Sequence, residues 1–225
     1  MSSDKKTAHI AGLLYLLLAI TAAFGIMYAP SQFFVKGDAA KTATNVMSNP
    51  FMYGLGTLAH LASQVLFIYL GLYLYRLFRN VDEFQAKAMF ALIMVQIPVV
   101  FVIEILQISA LWVLKGELLT SFSLLQQQEI AYMLMRVHDY GIMMLGIYYG
   151  LWLIPLGILF WKADFMPKLI GGMLILGGVT YLYDSFAFIL APNYRIDAMM
   201  MIVTIAEIST VFWLLIKGIL APKTN

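Results

Sequence analysis

The sequence of 225 residues contains no cysteine. Disulfide bonds, a thiolate nucleophile and cysteine-based metal sites are therefore excluded, and the redox compartment cannot be inferred. Charged side chains are also scarce, since Asp, Glu, Lys and Arg make up 12% of the chain, against roughly 25% in a soluble domain. The net charge is +2 and the basic residues are spread along the chain, so no nucleic-acid partner is expected.

Apolar residues are present in excess, at 62% of the chain, with a mean hydropathy of +0.86. An apolar run of about 20 residues crosses a bilayer as a helix, because its backbone groups must be satisfied internally. Six such runs occur, at Ala8 to Tyr28, Phe51 to Phe78, Ala86 to Leu114, Ile130 to Trp161, Leu169 to Leu190, and Ala198 to Leu220. The sequence predicts an all-α polytopic membrane protein, a bundle of six transmembrane helices forming a single domain over residues 1–225 in the lipid bilayer.

The distribution of Lys and Arg predicts the orientation of these helices. Nine basic residues lie on the side that holds both termini, four lie on the opposite side, and Arg136 falls inside a span. Cytoplasmic loops carry the excess of Lys and Arg, so both termini are predicted to be cytoplasmic, in the cell membrane. The first run follows Lys5 and Lys6, as a signal peptide would, but it is long enough to span the bilayer and is predicted to be a retained first helix.

Local signals refine the helices. Ser123 is a good N-cap for an early start of the fourth helix, and Pro98 and Pro155 are expected to kink the third and fourth helices. Gly37, Asp38 and the Asn49–Pro50 pair mark the longest connection, on the outer side.

Ionisable side chains interrupt five of the six apolar runs. They are His60, Glu104, Arg136, His138, Asp139, Asp184 and Glu207. A charged side chain at the bilayer centre costs at least ~2.5 kcal/mol, so such residues usually face the bundle interior and have partners. Counted from the cytoplasmic ends at about 1.5 Å per residue, most of them lie in one layer of the outer half.

Helical spacing predicts which of these side chains share a face. Arg136, Asp139 and Tyr140 form one stripe of the fourth helix, which is expected to point inward, while His138 lies on a neighbouring face. On the third helix, Glu104 shares a face with two glutamines, Gln96 and Gln107.

The charge of this layer is unbalanced. Four carboxylates and one arginine give −3 if all are ionised and the histidines are neutral. A buried carboxylate without compensation takes up a proton instead. The layer is therefore expected to hold protons, to bind a cation or to open to water. Arg136 and Asp139 are expected to form an ion pair.

These observations leave three functions open. The favoured one is binding or transport of a small cationic or amphiphilic ligand, or of protons, in an acidic pocket lined by the seven ionisable residues. The second is a metal-dependent intramembrane hydrolase of lipid-like substrates, in which His60, His138 and Asp139 hold a divalent metal and Glu104 or Glu207 acts as base. The third is a structural or accessory subunit whose buried charges specify helix packing.

Several short motifs resemble a bacterial multipass membrane family catalogued only as a domain of unknown function. They are Ala11 to Leu16, Gly37 to Ala39, His138-Asp139-Tyr140-Gly141, Tyr181 to Phe186, and Glu207 with Trp213 and Lys217-Gly218. The resemblance implies a multipass membrane protein and carries no activity with it. The chain is also similar to intramembrane metal-dependent hydrolases in placing histidines and carboxylates within spans, but it lacks their full histidine set.

Overall fold

A computed structural model describes residues 3–220, and helices account for nearly all of this stretch. No β-strand occurs within residues 3–220, which agrees with the all-α prediction. The α-helices are α1 Ser3–Ala22, α2 Ala29–Phe33, α3 Ala39–Ser48, α4 Pro50–Phe78, α5 Glu83–Leu114, α6 Leu124–Lys162, α7 Lys168–Leu190 and α8 Met200–Leu220. Two short 3₁₀ turns, Pro192–Tyr194 and Asp197–Met199, connect α7 to α8.

Five helical stretches of the described chain are long and apolar enough to cross a membrane. They are Lys5–Phe33, Pro50–Phe78, Glu83–Leu114, Leu124–Lys162 and Lys168–Leu190. The sixth predicted crossing corresponds to α8, whose described apolar stretch, Met200–Ile216, is shorter. The membrane prediction is supported by five candidate spans, and the sixth crossing stays a prediction.

The first span continues past its predicted end at Tyr28. A π-helical segment, Ala23–Tyr28, joins α1 to α2 without a break. In a π-helix each backbone N–H bonds to the carbonyl five residues earlier, instead of four as in an α-helix. Such segments are frequent at functional sites. The connection that follows is itself helical, because the Asp38 carboxylate accepts a hydrogen bond of 2.8 Å from the Lys41 backbone N–H and caps α3.

The fourth span begins where the sequence predicts. Ser123 precedes α6, and its backbone N–H donates to Oε1 of Gln126 at 2.9 Å, while the Gln126 N–H donates back to the serine hydroxyl oxygen at 3.4 Å. This reciprocal pair is a capping box. Pro98 and Pro155 lie inside α5 and α6, which continue through them.

The packed residues separate into two compact units. Within the described residues, unit 1 comprises residues 3–17, Leu66–Ile97 and residues 143–220, and unit 2 comprises Leu18–Val65 and Pro98–Ile142. Unit 2 has an apolar core built around Phe33, Val46, Tyr53, Leu111 and Met135. The long helices α4, α5 and α6 each contribute residues to both units.

In unit 1, α6 and α7 approach closely through glycines. A Cβ added to Gly150 would lie 2.5 Å from the carbonyl oxygen of Gly178, and one added to Gly157 would lie 2.6 Å from that of Gly171. The two pairs are seven residues apart on both helices, so the same face repeats. Small residues let helix backbones approach in this way in membranes. Gly171 and Gly178 are therefore close-packing positions between α6 and α7.

Candidate functional site

Three ionisable side chains of unit 2 form one buried cluster. Oε1 of Glu104 on α5 lies 2.6 Å from Nδ1 of His60 on α4 and 2.9 Å from Nε2 of His138 on α6. Glu104, His60 and His138 are only 3%, 1% and 5% exposed. The cluster therefore ties three helices together through a single carboxylate oxygen.

The geometry of this cluster restricts where its protons are. Oε1 carries at most one proton, so at least one of the two imidazoles must donate an N–H to it. An ionised Glu104 that accepts from both satisfies every short contact. The second nitrogen of His138, Nδ1, lies 3.5 Å from Oδ1 of Asp139. A protonated His138 places an N–H toward each carboxylate, whereas a neutral His138 turns a lone pair toward one of them.

The π-helical segment of the first span is packed directly behind His60. A Cβ added to Gly25 would lie 2.7 Å from the carbonyl oxygen of Gly56 and 2.8 Å from the backbone nitrogen of His60. One added to Gly56 would lie 2.6 Å from Cβ of Ala29. Only glycines allow these backbones to come so close. Gly25 and Gly56 therefore fix the position of the His60 backbone relative to the first span.

A small cavity adjoins the cluster. It leaves about 10 Å³ for the centre of a water-sized sphere and is lined by ten residues: Gly25, Ala29, Pro30, Phe33, Tyr53, Gly56, Thr57, Glu104, Gln107 and His138. Among residues 3–220, the buried Oγ1 of Thr57 and Oε1 of Gln107 have no hydrogen-bond partner. Both residues belong to the wall of this cavity.

A larger cavity lies next to the small one, with which it shares Pro30, Phe33, Tyr53 and Gln107. It leaves about 270 Å³ for the centre of a water-sized sphere. Its other lining residues are Ile26, Ser31, Phe34, Met135 and Asp139. The wall is thus mostly apolar and aromatic, with one carboxylate, which is the usual composition of a small-molecule site.

Arg136 and Asp139 stand beside this larger cavity. Nη1 of Arg136 lies 3.9 Å from Oδ2 of Asp139, as predicted for an ion pair, although the contact is long. Nη2 of Arg136 also donates to the Tyr140 hydroxyl at 2.7 Å. The guanidinium lies over the rings of Tyr140 and Phe34, at 4.7 Å and 5.6 Å from their centroids, where it gains cation–π attraction.

The prediction that Arg136, Asp139 and Tyr140 point into the bundle is wrong. The Arg136 and Asp139 side chains are 31% and 40% exposed, and Tyr140 is also exposed. The buried face instead carries Ala131, Met135 and His138. Adjacent residues on a helix lie about 100° apart, so burying His138 turns Asp139 toward the rim of the cluster. The spacing of Ala131, Met135 and His138 by four and three residues was the signal that could have identified this face.

The remaining two predicted site residues belong to unit 1 and have other partners. Asp184 is held by Arg195, whose Nε and Nη2 donate to its two oxygens at 2.8 Å and 2.9 Å. Glu207 accepts a hydrogen bond of 3.0 Å from the hydroxyl of Tyr15 on α1. Neither Arg195 nor Tyr15 was a predicted site residue, because sequence spacing relates positions only within one helix.

The proposed metal ligands do not converge. Within the described part of the chain, no group of three or more His, Asp or Glu side chains is placed so as to hold a metal ion. Both His60 and His138 direct a nitrogen at Glu104, and the second nitrogen of His138 faces Asp139. The geometry therefore gives no support to a metal site formed by His60, His138 and Asp139.

Comparison with known proteins identifies the family. The family model described as a domain of unknown function, DUF4386, matches residues 10–218. The chain belongs to this family. An uncharacterized protein of the archaeon Archaeoglobus fulgidus is 32% identical over 90 residues. That alignment covers 38% of this chain and 54% of the relative, so the match spans about half the relative's length. No solved structure matches significantly.

The cluster also contains groups that the sequence did not indicate. Tyr53 donates its hydroxyl to the backbone carbonyl of Gln107 at 3.2 Å and lines both cavities, as does Gln107 itself. Gln107 was placed on the face of Glu104 by helical spacing, and it is buried as that spacing predicts. Thr57 and Tyr53 were overlooked because uncharged polar residues are tolerated in membrane helices.

Proposed function

We propose that this member of the DUF4386 family is a multipass protein of the cell membrane, with both termini cytoplasmic, that binds or transports a small cationic or amphiphilic ligand in exchange for protons. The ligand occupies the larger cavity of unit 2. The His60–Glu104–His138 cluster holds the exchanged proton. Two of the three connections on the predicted outer side, residues 34–49 and 115–123, belong to unit 2, so the cavity is proposed to open outward.

The observation that carries this proposal is the placement of His138 between two carboxylates. When His138 is protonated, its imidazole donates one N–H to Glu104 and one to Asp139. The positive charges of His138 and Arg136 then balance the negative charges of the two carboxylates. A ligand cation in the larger cavity approaches the Asp139 carboxylate and competes with that proton. Cation binding and proton release are then linked.

The size and lining of the cavity suit a small organic cation. A volume near 270 Å³ is at the lower end for small-molecule sites. Phe33, Phe34 and Tyr53 supply aromatic surface for a quaternary or alkylated ammonium group. Arg136 already lies over Phe34, and it would be displaced or would share the ring with the ligand.

Binding of benzyltrimethylammonium to the protein in lipid nanodiscs tests the proposal, by calorimetry at pH 6 and pH 8. The proton concentration falls a hundredfold across this interval, so a ligand that displaces a proton binds more tightly at pH 8. We expect several-fold tighter binding at pH 8, and Asp139→Asn should weaken it about tenfold or more. Asp82→Asn, which alters a carboxylate in unit 1, is the matched control.

Two results would overturn the proposal. One is an absence of binding by the wild type at either pH. The other is binding that Asp139→Asn and Asp82→Asn leave equally unchanged. If Asp139→Asn and Glu104→Gln lower only the unfolding temperature, the buried charges serve helix packing, as in an accessory subunit.

A further inference from the structure

The small cavity beside Glu104 has the dimensions and the wall of a site for one water molecule. About 10 Å³ for the centre of a water-sized sphere is close to the minimum that a single water requires. Glu104, Thr57 and Gln107 line this cavity, and Oγ1 of Thr57 and Oε1 of Gln107 are buried with no partner among residues 3–220. Unsatisfied buried polar atoms are uncommon and typically mark a bound water or ion.

We propose that this cavity binds one water, which links the His60–Glu104–His138 cluster to the larger cavity and carries protons between them. The inference deepens the proposed function, on which its role in ligand exchange rests. Thr57 and Gln107 thereby become ligands of a bound water, and protons can pass between the buried cluster and the solvent of the larger cavity.

The hydrogen-bonding groups match water. A water donates two hydrogen bonds, here to the Glu104 carboxylate and to Oε1 of Gln107, and it accepts one from the Thr57 hydroxyl. These three partners are the usual number for a buried water. A hard metal cation needs about six oxygen ligands, which is more than this wall supplies.

The proton route follows from the two cavities being neighbours. They share Tyr53 and Gln107 in their walls. A proton that reaches the bound water from the larger cavity bonds to the water oxygen, and the water then releases one of its other protons to Glu104. No atom other than hydrogen moves, and no other reactant is required.

The charged and titratable groups that face this route are contributed by three helices. The set comprises Tyr53 and His60 on α4, Glu104 on α5, and Arg136, His138, Asp139 and Tyr140 on α6. The lining residues from the first span and α2 are not titratable.

The sign of one stability change tests whether the cavity holds water. Thr57→Val replaces a hydroxyl by a methyl group of similar shape. If the water is present, the substitution removes one of its partners, and we expect the unfolding temperature to fall by about 2–4 °C. If the cavity is dry, the substitution removes an unsatisfied buried hydroxyl, and the unfolding temperature rises.

Thr180→Val is the matched control. Thr180 is also fully buried, but its hydroxyl donates to the Leu176 carbonyl of its own helix at 3.0 Å. We expect little change from it. A rise in unfolding temperature for Thr57→Val overturns the water site.

Hydrogen exchange tests the proton route without any ligand. Nitrogen-15 NMR of labelled histidine reports the exchange of the His138 imidazole N–H with solvent. We expect Thr57→Val to slow this exchange about tenfold and Thr180→Val to leave it unchanged. Exchange that is equally fast in Thr57→Val overturns the route, even if the unfolding temperature falls. Failure of benzyltrimethylammonium to bind would instead overturn the proposed function, and these two ligand-free measurements would still decide the present inference.

Discussion

Nδ1 of His60 on α4 lies 2.6 Å from Oε1 of Glu104 on α5, and both side chains are almost completely buried. A charge-assisted hydrogen bond of this length is short and strong. The same Glu104 oxygen serves His138, so removing the carboxylate leaves two buried imidazoles without their partner.

Replacing Glu104 by Gln should destabilise the protein. The amide keeps one acceptor oxygen but carries no negative charge, so both imidazoles lose a charge-assisted partner. We expect the free energy of unfolding to fall by about 1–3 kcal/mol, measured by thermal unfolding in detergent micelles. Glu129→Gln, at an exposed position of α6 in the same unit, should have little effect. Equal losses in the two variants would contradict the role of Glu104.

Replacing Gly25 by Ala should displace His60. The added Cβ would lie within 3 Å of the Gly56 carbonyl and of the His60 backbone, so the π-segment must move away from α4. Overpacking of this kind costs about 1–3 kcal/mol. Nitrogen-15 NMR of the His60 ring should show a shift in addition to a lower unfolding temperature. At Gly54, where nothing lies within 4 Å of an added Cβ, substitution by Ala should leave the His60 signal unchanged.

Replacing Gly157 by Ala should open the contact between α6 and α7 in unit 1. Its Cβ would meet the Gly171 carbonyl oxygen at 2.6 Å, which is backbone and cannot rotate away. We expect a loss of about 1–3 kcal/mol in unfolding free energy. Gly172→Ala is the control on the neighbouring position, because its nearest neighbour, the Trp161 ring, lies at 3.5 Å. A larger loss at Gly172 than at Gly157 would refute the proposed helix contact.

The Asp82 carboxylate precedes α5 and should titrate below its ordinary range. Its hydrogen bond from Nζ of Lys162, at 2.6 Å, and a second from the Gln85 backbone N–H lower its pKa. A lowered folded-state pKa means that this contact contributes to stability above the unfolded-state pKa and is lost as pH falls through the folded-state pKa. The contribution should be small because the pair is exposed and screened by salt.

Carbon-13 NMR of the Asp82 carboxyl checks this sign. In Lys162→Met, the Asp82 pKa should return toward its ordinary value, since the largest cause of the shift is removed. Added salt should move the wild-type pKa in the same direction. An Asp82 pKa that does not change in Lys162→Met would show that the ion pair is not formed.

The burial of several polar positions could be predicted from the sequence. His60, Glu104, Gln96 and Gln107 interrupt apolar runs, and all four are buried. Their burial is predictable because lipid is a poor solvent for polar groups, so a polar residue in a span turns toward protein. The N-cap at Ser123 was predictable for a different reason: the capping box joins residues only three positions apart, so it depends on local sequence alone.

The partner of each polar residue was not predictable in the same way. Asp184 was expected to share a pocket with Glu104, but it forms a bidentate pair with Arg195, which lies in the connection after α7. Glu207 bonds to Tyr15, 192 positions away in the chain. The Glu207–Tyr15 pair depends on which helices pack side by side, and the Asp184–Arg195 pair depends on the path of the connection after α7. Helical periodicity contains no information about either.

The sequence by itself determined that this chain is helical and suited to a membrane, because run length and composition alone satisfy the requirements of a bilayer. It also determined which positions interrupt those runs. Tertiary structure alone decided that His138 rather than Asp139 faces Glu104. Two adjacent residues of one helix cannot both face the same neighbour, and the choice depends on how α6 packs against α4 and α5 within unit 2.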